Sequence, residues 1–235
     1  MEALILAGGQ GKRLRSIVSD RPKPLADIDG RPFLYYLMSA MKQKGVTHFI
    51  IAVGYMGEKI INLIGNQFEG VPVTYSNEEE PLGTGGCIAK ALPLLEKDEA
   101  FLMVNGDTLF NIDYGDLKLL HKTSSSELSI ALLQAPESNR FGSVERDESL
   151  RVTMLPPHRA VKGAPCNGGL YLINPDVLIN KLPVLKKFSF EDYWLPDLQS
   201  RDVKIYGFEM PGTFIDIGLP IDYNYIKKNK NIFLN

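Results

Sequence analysis

The chain has 235 residues, 44% of them hydrophobic, enough for a full core in one globular domain or in one domain with a small lobe. Its 26 basic and 28 acidic residues leave a net charge of −2, so no global field draws it to nucleic acid or to an anionic membrane. Cys87 and Cys166 form neither a C-x-x-C nor a disulfide framework, and no apolar run approaches the roughly 18 residues that span a bilayer.

The first strand is expected over Ala3–Leu6, with a glycine turn by Gly8; a secretory leader is therefore not expected, and a reducing cytoplasm is the plain location. Further strands are expected at His48–Val53, Val71–Tyr75 and Ala100–Val104. Helices are expected between them at Pro32–Lys44, Gly57–Ile64 and Gly86–Leu95. Phe33, Leu34, Leu37, Met38 and Met41 have helical spacing, and Gly45 ends that helix. This alternation to about residue 125 implies a mostly parallel sheet with helices on both faces. Beyond it, Leu128–Ala135, Gly142–Arg146, Val152–Leu155, Leu170–Ile173, Val203–Glu209 and Phe214–Ile217 read as strands of a mixed or antiparallel extension. Pro220–Lys230 reads as a terminal helix with a basic, solvated end. No linker divides the chain. The expectation is one domain over 1–235, whose 1–125 and 126–235 halves face one cleft.

Ligands of open α/β sheets bind beyond the carboxyl ends of the strands, so the residues after each strand carry the functional reading. Ala7-Gly8-Gly9-Gln10-Gly11-Lys12-Arg13 follows the first. Its glycines allow a tight bend and close approach of backbone N–H groups to a ligand, and Arg13 adds a bidentate donor. The spacing is neither G-x-G-x-x-G nor a Walker loop, and a plain glycine turn beside a solvated basic face (Lys12, Arg13, Arg15) would give the same letters. Pro22-Lys23-Pro24 restricts the backbone around one lysine, which lowers the entropy cost of aiming it. Pro81-Leu82-Gly83-Thr84-Gly85-Gly86 is a second glycine loop entering a helix. Met103-Val104-Asn105-Gly106-Asp107 stops a buried strand at an aspartate, which suits Mg²⁺, and Phe214-Ile215-Asp216-Ile217-Gly218 repeats the pattern; the two aspartates could share one metal. A glycine loop, an arginine, a fixed lysine and two carboxylates together point to a nucleoside triphosphate with Mg²⁺.

The stretches "LILAGGQGKRLR…RPKPL", "PLGTGG", "NGDT", "NGGLY" and "FIDIGLPIDY", in this order over Ala3 to Tyr223, resemble the sugar-1-phosphate nucleotidyltransferases. The resemblance implies a Rossmann-like α/β/α sandwich. It also implies transfer of a nucleoside monophosphate from an NTP to a sugar 1-phosphate, releasing pyrophosphate. Leu6, Ala7, Gly8, Gly9 and Gly11 would wrap the nucleotide, Gly83 and Thr84 would lie by the base, and Arg13 and Lys23 would hold phosphates. Asp107 and Asp216 match metal ligands; Gly142, Asn167, Gly168 and Glu191 match sugar-contacting positions. The length and "FSFEDYWLP" resemble most the D-glycero-D-manno-heptose 1-phosphate guanylyltransferases, which use GTP to make a precursor of surface polysaccharide. Mannose-1-phosphate guanylyltransferases and sugar-1-phosphate uridylyl- or thymidylyltransferases share most of the motifs. The oligomeric state stays open, a homo-oligomer included.

One departure is local. Many relatives carry Glu-Lys-Pro before the "NGG" strand, where this chain reads Leu155-Pro156-Pro157-His158-Arg159-Ala160-Val161-Lys162; either Arg159 or Lys162 supplies the positive charge, or the sugar phosphate is held differently. Two other classes fit the residues less well. A dinucleotide-dependent dehydrogenase needs an acid after its second strand, where this chain has Val53-Gly54-Tyr55. A non-catalytic regulatory subunit would not need Arg13, Lys23, Asp107 and Asp216 together. Cys87 at a helix start is read as a small buried residue rather than an acidified thiol, His48, His121 and His158 as structural, and Tyr193 and Trp194 as packing.

Overall fold

The structure, a computed structural model, describes residues 1–9, 11, 13–14, 17–96, 98–134, 142–154, 163–184 and 186–229. In chain order its main elements are β1 (Glu2–Leu6), α1 (Phe33–Gln43), β2 (His48–Val53), α2 (Gly57–Ile64), β3 (Val71–Asn77), α3 (Gly83–Ala91), β4 (Phe101–Asn105), β5 (Thr108–Asn111) and α4 (Tyr114–Thr123). There follow β6 (Leu128–Leu133), β7 (Cys166–Ile173), α5 (Pro175–Asn180), α6 (Leu195–Ser200), β8 (Ile205–Glu209), β9 (Thr213–Asp216) and α7 (Pro220–Lys228).

An eight-stranded sheet runs β8-β6-β7-β4-β1-β2-β3, with Gln67–Phe68 at the far edge. β1 pairs in parallel with β2 and β4, β2 with β3, and β6 with β8. Only β7 and the short edge strand run against the rest: β7 is antiparallel to both β4 and β6. The expected mixed extension is therefore one reversed strand between parallel neighbours.

Alternation along each strand builds two cores, because successive side chains point to opposite faces. Ala3, Ile5, Phe49, Ile51, Leu102 and Val104 pack with Leu37 and Met41 of α1, Ile60 of α2, Leu117 of α4 and Ile226 of α7. Leu4, Ile50, Ala52, Phe101 and Met103 pack on the other face with Ile88 of α3, Leu178 of α5 and Leu198 of α6. A sheet buried on both faces reads as near-continuous apolar runs, which is why these strands were legible. The fold is the expected α/β/α sandwich with a mostly parallel central sheet. Among the described residues, no helix is long and apolar enough to cross a membrane.

Three details differ from the expectations. The helix expected from Gly86 starts at Gly83, ends at Ala91 and passes into a 3₁₀ turn, Leu92–Leu94, at Pro93. The strand expected over Gly142–Arg146 shrinks to Glu145–Arg146, paired with Val152–Met154. β7 begins at Cys166 rather than Leu170 and carries a register shift between Asn167 and Leu170, with Gly169 at φ +67°. Such bulges re-aim side chains near functional sites. The expected ends Ala135, Leu155 and Lys230 lie outside the described residues.

Candidate active site

A cleft of about 790 Å³ opens where the carboxyl ends of β1 and β4 meet the bulged start of β7. The candidate residues named from the sequence line it, except Arg159 and Lys162, which lie outside the described residues. Leu6, Ala7, Gly8, Gly9, Gly11 and Arg13 line it together with Lys23, Asp107 and Asp216; Gly83 and Thr84 line it next to Glu191, and Gly142 lines it next to Asn167 and Gly168.

The first glycine loop is fastened at both sides. The Ala7 N–H donates to the Ala52 carbonyl (2.8 Å), and the Gly106 N–H to the Leu6 carbonyl (2.9 Å). Gly8 lies close to the Glu78 carboxylate: a Cβ there would be 2.4 Å from Glu78 Oε1, the movable end of that side chain. Exposed Arg13 stands further along the same loop. Lys23 begins a one-turn 3₁₀ helix, Lys23–Leu25, after Pro22. It is only 9% exposed, and its ammonium is paired with the Asp107 carboxylate.

Asp107 occupies the turn between β4 and β5. Asp216 ends β9, and the antiparallel register of β9 with β5 sets Asp216 opposite Thr108. The Ile217 N–H also donates to the Asp107 carbonyl (3.0 Å). Two strands far apart in sequence thus bring the backbones of the two aspartates close together, and both line the cleft. Their hard oxygens are a donor set that fits Mg²⁺, which takes one or two protein carboxylates and completes its shell from phosphate and water. Among the described residues no group of three or more His, Cys, Asp and Glu could hold a metal.

The second glycine loop has a packing cause. The Phe188 N–H donates to the Leu82 carbonyl (3.0 Å), and the Gly85 N–H donates to the Phe188 carbonyl (3.0 Å). A Cβ on Gly85 would lie 2.3 Å from the Phe188 ring, and one on Gly86 would lie 2.4 Å from the Lys186 carbonyl oxygen. The segment around Phe188 therefore crosses directly over the start of α3. Thr84 hooks it in place: its hydroxyl accepts from the Phe190 N–H (2.8 Å) and donates to Glu191 Oε2 (3.0 Å). Phe190–Trp194 forms a π-helical turn leading into α6, and Glu191 lies on it. Burial pushes the Glu191 carboxyl above its ordinary range, and the charges of Asp192 and Asp107 push the same way.

At the start of β7, Asn167 Nδ2 donates to the Tyr171 hydroxyl (2.7 Å) and the Gly169 N–H donates to Asn167 Oδ1 (2.9 Å). Gly168 passes against Phe110, whose ring would be 2.6 Å from a Cβ.

Glu78 and Lys187 also line the cleft and were not singled out in the sequence. Glu78 opens a run of three glutamates that reads as a solvated face, and Lys187 sits in what reads as a basic loop. The residues set aside behave structurally. The buried Cys87 thiol is pushed well up by its burial and by Glu78. His48 bonds Glu2 (2.6 Å) and Thr74 (2.9 Å), and His121 bonds Ser129 (2.7 Å) and Asn174 (3.1 Å). Trp194 is fully buried, edge-on to Phe188 and Phe190. Lys12, Arg15, His158, Arg159 and Lys162 lie outside the described residues.

Known proteins resemble the chain over nearly its whole length. The chain is 40% identical over 228 residues to the D-glycero-alpha-D-manno-heptose 1-phosphate guanylyltransferase of Aneurinibacillus thermoaerophilus, covering 97% of each chain. It is 38% identical to the protein of the same name from Campylobacter jejuni, covering 97% of this chain and 100% of that one. The crystal structure of HddC from Yersinia pseudotuberculosis superposes with a TM-score of 0.84 at 33% identity, over 97% of this chain and 99% of the other. The same protein complexed with GMP-PN superposes with a TM-score of 0.81. The pattern of the nucleotidyl transferase family matches residues 2–229, and the chain belongs to that family.

Proposed function

We propose that the chain joins GTP and D-glycero-α-D-manno-heptose 1-phosphate, giving the GDP-sugar and pyrophosphate. The observation that carries this reading is the cleft itself. A glycine loop with Arg13, an aimed Lys23 and two aspartates, Asp107 and Asp216, share one cleft with Gly142, Asn167, Gly168 and Glu191. Identity of 38–40% over nearly the whole length to heptose 1-phosphate guanylyltransferases supports the choice of base and sugar.

The chemistry follows from the charges. A sugar-phosphate oxygen is already anionic near neutral pH, so it attacks the α-phosphorus in line without a general base, and pyrophosphate leaves. The obstacle is repulsion between two polyanions. Arg13 and Lys23 offset that charge and hold the reacting groups in register. Leu6, Ala7, Gly8, Gly9 and Gly11 cradle the nucleotide, with Gly83 and Thr84 beside the base; Gly142, Asn167, Gly168 and Glu191 hold the sugar. Asp107 and Asp216 would hold Mg²⁺, which supplies further neutralisation of phosphate charge when bound. A requirement for GTP supports a cytoplasmic location, with the GDP-sugar feeding assembly of a surface polysaccharide.

Pyrophosphate release tests this reading, with GTP, ATP, CTP, UTP and dTTP each paired with the heptose, mannose and glucose 1-phosphates in the presence of Mg²⁺. The expected result is the highest kcat/KM for GTP with the heptose phosphate. A higher value for mannose 1-phosphate would replace the sugar, and turnover only with UTP or dTTP would replace the base. No turnover with any pair, in protein that binds nucleotide, would favour a regulatory role.

A further inference from the structure

Thr84 lies in the second glycine loop, but its hydroxyl is turned away from that loop. A threonine hydroxyl has one donor and two acceptor sites. The donor goes to Glu191 Oε2 (3.0 Å), and one acceptor site takes the Phe190 N–H (2.8 Å). Both partners belong to the segment that crosses the start of α3. The side chain has no donor left for a base, so a base beside Gly83 and Thr84 is left to their backbone.

Glu191 is a residue that needs holding. It sits on the π-helical turn Phe190–Trp194, a kind of irregularity frequent at functional sites, and it lines the cleft. Burial penalises its charged form, and the charges of Asp192 and Asp107 add to that penalty. The Thr84 hydroxyl and the residue's own backbone N–H work against it. A carboxylate has about four acceptor sites on its two oxygens. Those two donors occupy two, which leaves about two for a ligand rich in hydroxyl donors, as a sugar is. Fixing a long side chain in place beforehand lowers the ordering cost of binding. The crossing segment itself does not depend on Thr84 alone. Its backbone is tied to α3 by the Phe188 N–H to the Leu82 carbonyl and the Gly85 N–H to the Phe188 carbonyl, both 3.0 Å. Loss of the hydroxyl should therefore fall on the Glu191 side chain rather than on the path of the segment.

We infer that Thr84 is a positioning residue for the sugar phosphate: its hydroxyl, oriented by the Phe190 N–H, sets the Glu191 carboxylate to receive sugar hydroxyls. The inference rests on the proposed function for the sugar's place at Glu191.

The test measures kcat, KM for GTP and KM for the sugar 1-phosphate that wild type uses best. The proteins compared are wild type, Thr84→Val, Thr84→Ser, Glu191→Ala and the double variant Thr84→Val with Glu191→Ala. Valine keeps the shape of threonine and removes the hydroxyl. It should raise KM for the sugar phosphate by about 10-fold, the scale of one hydrogen bond to a charged group, and leave KM for GTP as in wild type. Serine keeps the hydroxyl and should restore the sugar-phosphate KM. In the Glu191→Ala background, Thr84→Val should add nothing to that KM, because the carboxylate through which it acts is gone. A role confined to bracing the segment would add its full effect there, and that additivity would overturn the inference. So would a Thr84→Val that raises KM for GTP as much as KM for the sugar phosphate, or that matches wild type in both. Should Thr84→Val not fold, Thr84→Ala takes its place in the same comparison. If wild type turns over no sugar 1-phosphate, the proposed function fails and the inference falls with it; if wild type turns over and the variants miss this pattern, the inference alone fails.

Discussion

At the scale of single residues, Lys23 shows how a charge is aimed before a ligand arrives. Pro22 and Pro24 fix its backbone, and Asp107 holds its ammonium in a nearly buried position. Asp107→Asn keeps the shape of that contact and removes a carboxylate from the pair with Asp216. We expect turnover to be nearly lost while the circular dichroism spectrum stays as in wild type; near-normal turnover would contradict the metal assignment. Lys23→Ala is expected to slow turnover by about 10²–10³, the scale of one lost transition-state donor, as read from steady-state kcat. Glu191 gives a prediction with a sign. Its folded value lies above the ordinary 4.5, so the fold favours the protonated form. Its contribution to stability is then full below 4.5 and is lost as pH rises through the raised folded value. Glu191→Gln cannot lose that proton. Its melting temperature should therefore fall less than that of wild type between pH 4.5 and neutrality, and parallel curves would count against a buried, ionising Glu191. Much at this scale was legible because it is local: a lysine between prolines, or an aspartate ending a buried strand. Glu78 was not, because its letter matches Glu79 and Glu80, and only the fold-back onto Gly8 separates it from them.

At the scale of elements, the start of α3 has a cause that its letters did not disclose. Gly83, Gly85 and Gly86 read as a ligand loop, yet each lies against the crossing segment around Phe188. A helix rich in glycine is disfavoured by propensity, and here close packing overrides that preference. Gly85→Ala drives a methyl group into the Phe188 ring. It should cost about 1–3 kcal/mol, seen as a melting temperature several degrees lower. It should also raise KM, because the displaced segment carries Glu191. A variant that melts and binds as wild type does would contradict this packing. The π-helical turn and α6 escaped the sequence reading for a related reason. Phe190-Glu191-Asp192-Tyr193-Trp194-Leu195-Pro196 has no clean helical period and contains a proline, whereas in the fold Pro196 lies in the first turn of α6, where a missing N–H is tolerated.

At the scale of the whole molecule, the alternation of strands and helices was legible through residue 125, since parallel strands buried on both faces announce themselves as apolar runs. Pairing was not. Nothing local in Cys166–Ile173 says that it enters the sheet antiparallel between β4 and β6, or that β9 pairs with β5 and so sets Asp216 beside Asp107. These non-local pairings bring the lining residues from both halves of the chain into one cleft, and the proposed function stands on that junction. The most direct measurement is a ³¹P NMR time course of the protein with GTP, D-glycero-α-D-manno-heptose 1-phosphate and Mg²⁺. The account predicts loss of the triphosphate and sugar-phosphate signals together, replaced by the coupled pair of a nucleoside diphosphate sugar and an equal amount of pyrophosphate. Triphosphate cleavage to GDP and inorganic phosphate, with the sugar phosphate untouched, would contradict it.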